Sequence, residues 1–323
     1  MSDPKILEKA ASIIGAAEEL ALACHVGPDG DALGSMLGLA EAASAAGKKV
    51  VASFGTPYLL PENLSFLPTR HLVAPDEFPK SPEVMVVLDA GSHDRLGELG
   101  SNAGKAGALV VLDHHVTNAG FGDVSVVDSR AAATGEIVFD LLGLLGWEVS
   151  PEVANCLHTA LVTDTGRFQY SNTTPRTLEI AAQLVAAGAE PTLIGRHVYE
   201  EVPFGYLAAA ASALNRAELQ IESSVVSTII SSDDLKAAGI DWGDVDGLID
   251  MLRMAKEADT AILAKVHSDG RVKVSMRSRG ATDVGALAAS MGGGGHRLAA
   301  GFTVETPAKE AIATLVENLE EYR

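Results

Sequence analysis

The sequence predicts an α/β protein, with an N-terminal domain on a parallel sheet and a smaller C-terminal α/β domain. Three observations carry this. Short, continuous apolar runs alternate with longer helical segments through the first half of the chain. Three of those runs end in acidic or imidazole residues. Past a helical stretch interrupted at Pro203 the alternation resumes, and 323 residues are too many for one ordinary core.

The elements follow in order. "ELALACHV" (19–26) reads as a buried strand. "DALGSMLGLAEAASAAG" reads as a helix, with Asp31 at its N-cap and Gly47 as its stop. "KKVVASF", "EVMVVLDAGS" (83–92) and "GALVVLDHHV" (107–116) are further strands, apolar enough to be covered on both faces. Helices are expected at 133–146, 151–164 and 174–188, which closes a first domain over 1–189. Residues 190–216 read as a helical linker. A second domain then occupies 217–323, with strands "VVSTIIS", "TAILAKVH" and "RVKVSMRS" and helices near 244–257, 283–291 and from Pro307.

Composition excludes several function classes. Hydrophobic residues make up 47% and charged residues 21%, which is globular rather than disordered. The start, "MSDPKILEKAAS", has no apolar core of a signal peptide, and no run is long enough to span a membrane. Cys24 and Cys156 sit in apolar surroundings, as buried thiols in a reducing cytoplasm would. A cytoplasmic protein without a membrane partner is therefore expected. A net charge of −19 argues against a broad face for long nucleic acid. From Ala261 to Gly301, however, Lys265, Arg271, Lys273, Arg277, Arg279 and Arg297 face only Asp269 and Asp283. Six minus two leaves +4, enough for a local anion site.

The candidate chemistry sits at strand ends, which converge on one crevice in a parallel sheet. "HVGPDGDALGS" supplies His25, Asp29 and Asp31; "VVLD" supplies Asp89; "VVLDHH" supplies Asp113, His114 and His115; "TALVTDTGRF" supplies Asp164. Taken singly, Asp31 would be a helix cap, Asp29 a turn former and His25 a core histidine. Those readings do not explain why four segments deliver such groups to one crevice. Several carboxylates there would repel one another unless something positive sat among them. Mixed Asp and His donors suit manganese, and less specifically cobalt, iron or zinc; the supply exceeds one ion's needs, so two are expected. A second cluster, "GGGGHRLAAG", bares backbone N–H groups at Gly293, Gly294 and Gly295 and adds His296 and Arg297. "SMRSRG" adds Arg277 and Ser278, and together they suggest a phosphate site.

These motifs, in this order from about residue 12 to the C-terminus, resemble the DHH–DHHA1 phosphoesterase family, in its nanoRNase/pAp phosphatase branch. The resemblance implies a cleft between the two domains and a ligand assignment. His25, Asp29 and Asp89 would hold one Mn²⁺. Asp31, Asp89, His114 and Asp164 would hold the other, with Asp89 bridging and Co²⁺ or Mg²⁺ as substitutes. Asp113 would orient a neighbour and His115 would assist the leaving group. Arg277, Ser278 and the Gly293–His296 loop, with Arg297, would grip the rest of the nucleotide. The implied substrates are short oligoribonucleotides, pAp, and dinucleotides such as pApA or c-di-AMP. A homodimer is compatible with the family. The rivals are a manganese pyrophosphatase, a RecJ-like single-strand exonuclease and a non-catalytic nucleotide-binding regulatory module. The basic glycine loop argues against the first, the short acidic chain against the second, and the complete ligand set against the third.

Overall fold

Apolar runs that cannot face water on either side become the parallel strands of a first sheet. The computed structural model describes residues 4–323, which fall into two compact units, the first running to Glu200 and the second from Glu201 to Arg323. In the first unit α1 (Pro4–Ala16) leads into β1 (Glu19–Cys24), α2 (Gly30–Ala45), β2 (Lys49–Phe54) and β3 (Val84–Leu88). A 3₁₀ segment (His93–Leu99), the short α3 (Gly100–Ala103), β4 (Ala108–Asp113) and β5 (Val124–Val127) follow. Three helices come next, α4 (Thr134–Leu145), α5 (Pro151–Asp164) and α6 (Pro175–Ala186). The strands lie in the order β2-β1-β3-β4-β5, all parallel. The chain therefore winds outward from β1 on one side and from β3 on the other, and the crevice opens between their C-terminal ends.

The residues expected to be a linker are shared out. The short α7 (Pro191–Gly195) and a π-turn (Arg196–Glu200) belong to the first unit, and α8 (Phe204–Asn215), with Pro203 at its N-cap, to the second. There β6 (Glu218–Gln220), β7 (Val225–Ser231), α9 (Ser232–Ala238), α10 (Leu248–Leu252), β8 (Thr260–Val266) and β9 (Val272–Ser278) follow. The chain ends with α11 (Val284–Ser290), β10 (Gly294–His296), β11 (Ala299–Val304) and α12 (Ala308–Asn318). The sheet order is β10-β11-β9-β8-β7-β6, mixed, with β7 and β8 parallel. One face packs Val272, Val274, Met276 and Phe302 against α11 and α12; the other packs Val226, Ile230 and Leu263 against α8, α9 and α10.

Two helical details position the site. The N-cap of α2 is Asp29, not Asp31 as the sequence suggested: its Oδ1 accepts from the N–H groups of Asp31 (3.1 Å) and Ala32 (3.0 Å). That leaves the Asp31 carboxylate, in the first turn, for another task. Helix α2 also lies unusually close to α5. A Cβ on Gly34 would sit 2.4 Å from the Cys156 carbonyl oxygen, and one on Gly30 would sit 2.5 Å from the Thr163 side chain. The contact brings the start of α2 beside the end of α5, where Asp164 stands. Gly34→Ala should therefore cost about 1–3 kcal/mol through overpacking. Gly143→Ala, on the exposed side of α4 with open space around it, should be neutral or stabilising. Urea midpoints of the two variants, at unchanged m, check the contrast.

Candidate metal centre

Five segments end on the crevice. β1 runs into His25, the chain bends at Gly27 (φ 62°), and Asp29 caps α2 with Asp31 in its first turn. Asp89 follows β3, Asp113 ends β4 with His114 and His115 behind it, and Asp164 is the last residue of α5. Asp89 keeps one sheet hydrogen bond, its N–H donating to the Leu112 carbonyl, and then takes φ 55°. Aspartate tolerates this left-handed conformation better than most side chains, at a cost. The strand thus breaks where its carboxylate is needed.

The side chains form two groups with Asp89 between them. His25 Nε2 lies 3.8 Å from Asp29 Oδ2 and 3.6 Å from Asp89 Oδ2. His114 Nε2 lies 3.7 Å from Asp31 Oδ2, 3.6 Å from Asp89 Oδ1 and 3.5 Å from Asp164 Oδ2. These separations are long for hydrogen bonds. They match the span between two ligand atoms that each reach about 2.1 Å to a shared ion. His25, Asp29 and Asp89 offer one such cluster, and Asp31, His114 and Asp164 another. The His114 tautomer suits this. Its Nδ1 lies 3.2 Å from the Ala131 carbonyl, which can only accept, so Nδ1 carries a proton there, and Nε2, which faces the carboxylates, is the nitrogen left to bind an ion.

Neighbouring elements hold the carboxylates in place. Asp31 accepts from Thr134 N (2.6 Å), Gly135 N (3.1 Å) and Ser35 Oγ (2.8 Å). Asp31 is therefore a helix cap after all, but of α4, whose own N-cap Ala133 has no side chain to offer. The Thr134 hydroxyl donates to Asp89 Oδ1 at 3.0 Å. Asp113 binds His115 Nδ1 at 2.7 Å and accepts from Asn118 Nδ2 at 2.6 Å. The same Asn118 amide reaches the Ala90 carbonyl at 3.2 Å, tying the end of β4 to the turn after Asp89. The Asn172 amide donates to the carbonyls of Ala132 and Asp164, both at 3.1 Å. Arg95 Nη2 lies 3.2 Å from His25 Nδ1. Sequence reasoning missed Ser35, Arg95, Asn118, Thr134 and Asn172. Only Thr134 carried a readable signal, a hydroxyl opening an expected helix.

The electrostatics ask for a cation. Burial and the Asp89 charge push Asp31 well above the usual carboxylate range. Burial and Asp29 raise Asp89 in turn. Burial, opposed by His114, takes Asp164 up to about 7. Burial alone would lower His114, yet Asp164, Asp31 and Asp89 lift it to about 10. Burial likewise disfavours the charged form of His25, but Asp29 and Asp89 raise it to about 8. Asp113 goes the other way: burial would raise it, but its bonds to His115 and Asn118 hold it low, so it stays an anion that orients His115. Divalent ions would replace the protons that these groups otherwise retain.

In the second unit Arg277, on β9, and His296, on β10, both pair with Ala299 of β11. They therefore share one sheet face, with a small side chain between them. Arg277 Nε lies 3.8 Å from Asp250. The glycine run is an edge strand rather than a loose loop. A Cβ on Gly293 would meet the Gly301 carbonyl at 2.2 Å, and Gly295 has φ 144°, whereas Gly294 faces open space. Arg297 is exposed, with Nη2 3.5 Å from the Gly280 carbonyl. Ser278 departs from expectation. It follows Arg277 directly, so it points to the opposite face. Its buried hydroxyl donates to Asp259 (3.1 Å) and accepts from the N–H groups of Gly280 and Thr282, which shapes the turn after β9.

The raised value of His25 makes a prediction for chelated protein. A histidine whose folded pKa exceeds its unfolded one lends stability fully below pH 6.5 and loses it as pH rises through 8. The difference in unfolding free energy between wild type and His25→Gln should shrink by about 2 kcal/mol across that window. Denaturant titrations in EDTA at several pH values measure it.

Known proteins show the same layout. Residues 19–161 match the model described as the DHH family, N-terminal domain, and residues 222–322 match the DHHA1 domain. The chain is 33% identical over 309 residues to the bifunctional oligoribonuclease and PAP phosphatase NrnA of Thermus thermophilus, covering 94% of this chain and 90% of that protein. It is 27% identical over 284 residues to the Bacillus subtilis protein of the same name, covering 87% of each. The crystal structure of an exopolyphosphatase-related protein from Bacteroides fragilis shares the fold, with a TM-score of 0.92 at 24% identity over 100% of this chain and 97% of that one. With a family match on each unit and a third of its residues shared with a full-length relative, the chain belongs to the DHH–DHHA1 family of phosphoesterases and is a hydrolase.

Proposed function

We propose that the protein is a phosphoesterase using two divalent ions, manganese foremost. It cuts short oligoribonucleotides to mononucleotides and removes the 3′-phosphate of pAp. The dinucleotide pApA, and by extension c-di-AMP, belong to the same substrate class. The relatives named as oligoribonuclease and PAP phosphatase support the substrates. The observation that carries the reading is the position of Asp89, one oxygen toward the His25 group and the other toward the His114 group.

His25, Asp29 and Asp89 would hold one ion, and Asp31, Asp89, His114 and Asp164 the other. Bound there, the ions supply an activated water and positive charge for the phosphoryl oxygens. Thr134 and the start of α4 keep Asp89 and Asp31 aimed. His115, with Nδ1 committed to Asp113, acts through Nε2 on the leaving oxygen. Arg277 and His296 would hold a second phosphate or the base-bearing end, with the Gly293–Gly295 backbone and Arg297 beside them. No helix among the described residues is long and apolar enough to cross a membrane.

Two substitutions test the roles. Asp89→Ala should abolish hydrolysis of pAp and pApA alike while the protein stays folded, because the change relieves repulsion. Turnover near wild type from a folded variant would rule out the shared carboxylate. His115→Ala should still bind two Mn²⁺ by calorimetry and lose about 10²- to 10⁴-fold in kcat. Loss of one ion would make His115 a ligand instead.

A further inference from the structure

The sheet face that carries Arg277 and His296 continues away from them along β9. Alternate residues of that strand, Lys273, Ser275 and Arg277, share the face, whereas Val272, Val274 and Met276 are buried on the other. Register places Thr303 of β11 on one side of Lys273 and Lys265 of β8 on the other. Two lysines directly opposed on paired strands repel one another. The Lys265 ammonium is buried and answered by Asp246, and Arg277 has Asp250 at 3.8 Å. Lys273 is exposed and has no ion pair among the described residues. In the row between, Ser275 has Gly301 of β11 on one side and the buried Leu263 of β8 on the other.

We propose that Lys273 is a subsite for a further backbone phosphate of a single-stranded oligonucleotide whose nearer phosphate sits at Arg277 and His296. This rests on the function proposed above and extends it to substrate length. Alternate residues of a strand stand about 6.7 Å apart, close to the spacing of successive phosphates along an extended single strand. Lys273 is two such steps from Arg277, with the Ser275 hydroxyl at the intermediate step. A dinucleotide ends before reaching it. A tetranucleotide has the phosphates to reach it. The subsite thus makes affinity rise with length up to about four nucleotides.

The test separates binding from turnover. End-labelled di- and tetra-adenylates are titrated by fluorescence anisotropy in EDTA, where hydrolysis is blocked, against wild type, Lys273→Ala and the control Lys309→Ala. Lys309 lies on α12, which packs the opposite sheet face. Lys273→Ala should weaken the tetranucleotide about two- to fivefold and reduce its log Kd–log[salt] slope by about 0.7, the loss of one phosphate contact. The dinucleotide and the Lys309→Ala titrations should show smaller changes in both. Equal weakening of both lengths, or an unchanged tetranucleotide slope, overturns the subsite. Hydrolysis of the same oligonucleotides by wild type with Mn²⁺ is the separate check on the function itself.

Discussion

Three carboxylates crowd the point where the sheet changes winding direction, and much of the first unit is arranged around their mutual repulsion. Asp31, Asp89 and Asp164 arrive from a helix start, a strand end and a helix end. His114 stands within 3.5–3.7 Å of an oxygen of each. The N–H groups at the buried start of α4 neutralise part of Asp31, and Thr134 ties Asp89. Glycines in α2 allow α5 to approach. A site so short of positive charge has its strongest affinity for compact divalent cations, and the residues that make it costly to fold make it chemically useful.

The two units solve opposite electrostatic problems. The first concentrates negative charge in a buried crevice, within a chain of net charge −19. The second sets Lys265, Lys273 and Arg277 on one sheet face, and answers two of them with Asp246 and Asp250. An anionic substrate of the proposed kind would therefore meet local complements rather than a broad attractive field. That suits short molecules, which need few contacts, better than polymers that trail across acidic surface.

Much of this was legible in the residues. The apolar runs of β1, β3 and β4 are continuous because both faces are buried, and their acidic ends mark the crevice. α1 and β5 escaped notice: α1 holds as an amphipathic face packed on α4 and β5, and β5 is four residues long. The ligand candidates could be listed because their residue types are unusual at strand ends. Their supports could not. Asn118, which bonds the Asp113 carboxylate and the Ala90 carbonyl, and Asn172, which bonds two backbone carbonyls, follow no pattern, and Arg95 reaches His25 from a 3₁₀ segment. Ser278 is a different kind of miss. Strand alternation alone separates it from Arg277, and a stricter use of that period would have removed it from the phosphate site.

The Asp31 carboxylate holds the start of α4 with both oxygens, and one of them, Oδ2, also faces His114 across the crevice. A change there removes an anion from the crevice and a cap from a helix at once. If Asp31 is a ligand as proposed, a loss of activity on mutation would sum two injuries, one chemical and one architectural. The site is thus buffered against drift in an unexpected sense. A sequence that abandoned the carboxylate at this position would need another acceptor for the N–H groups that begin α4.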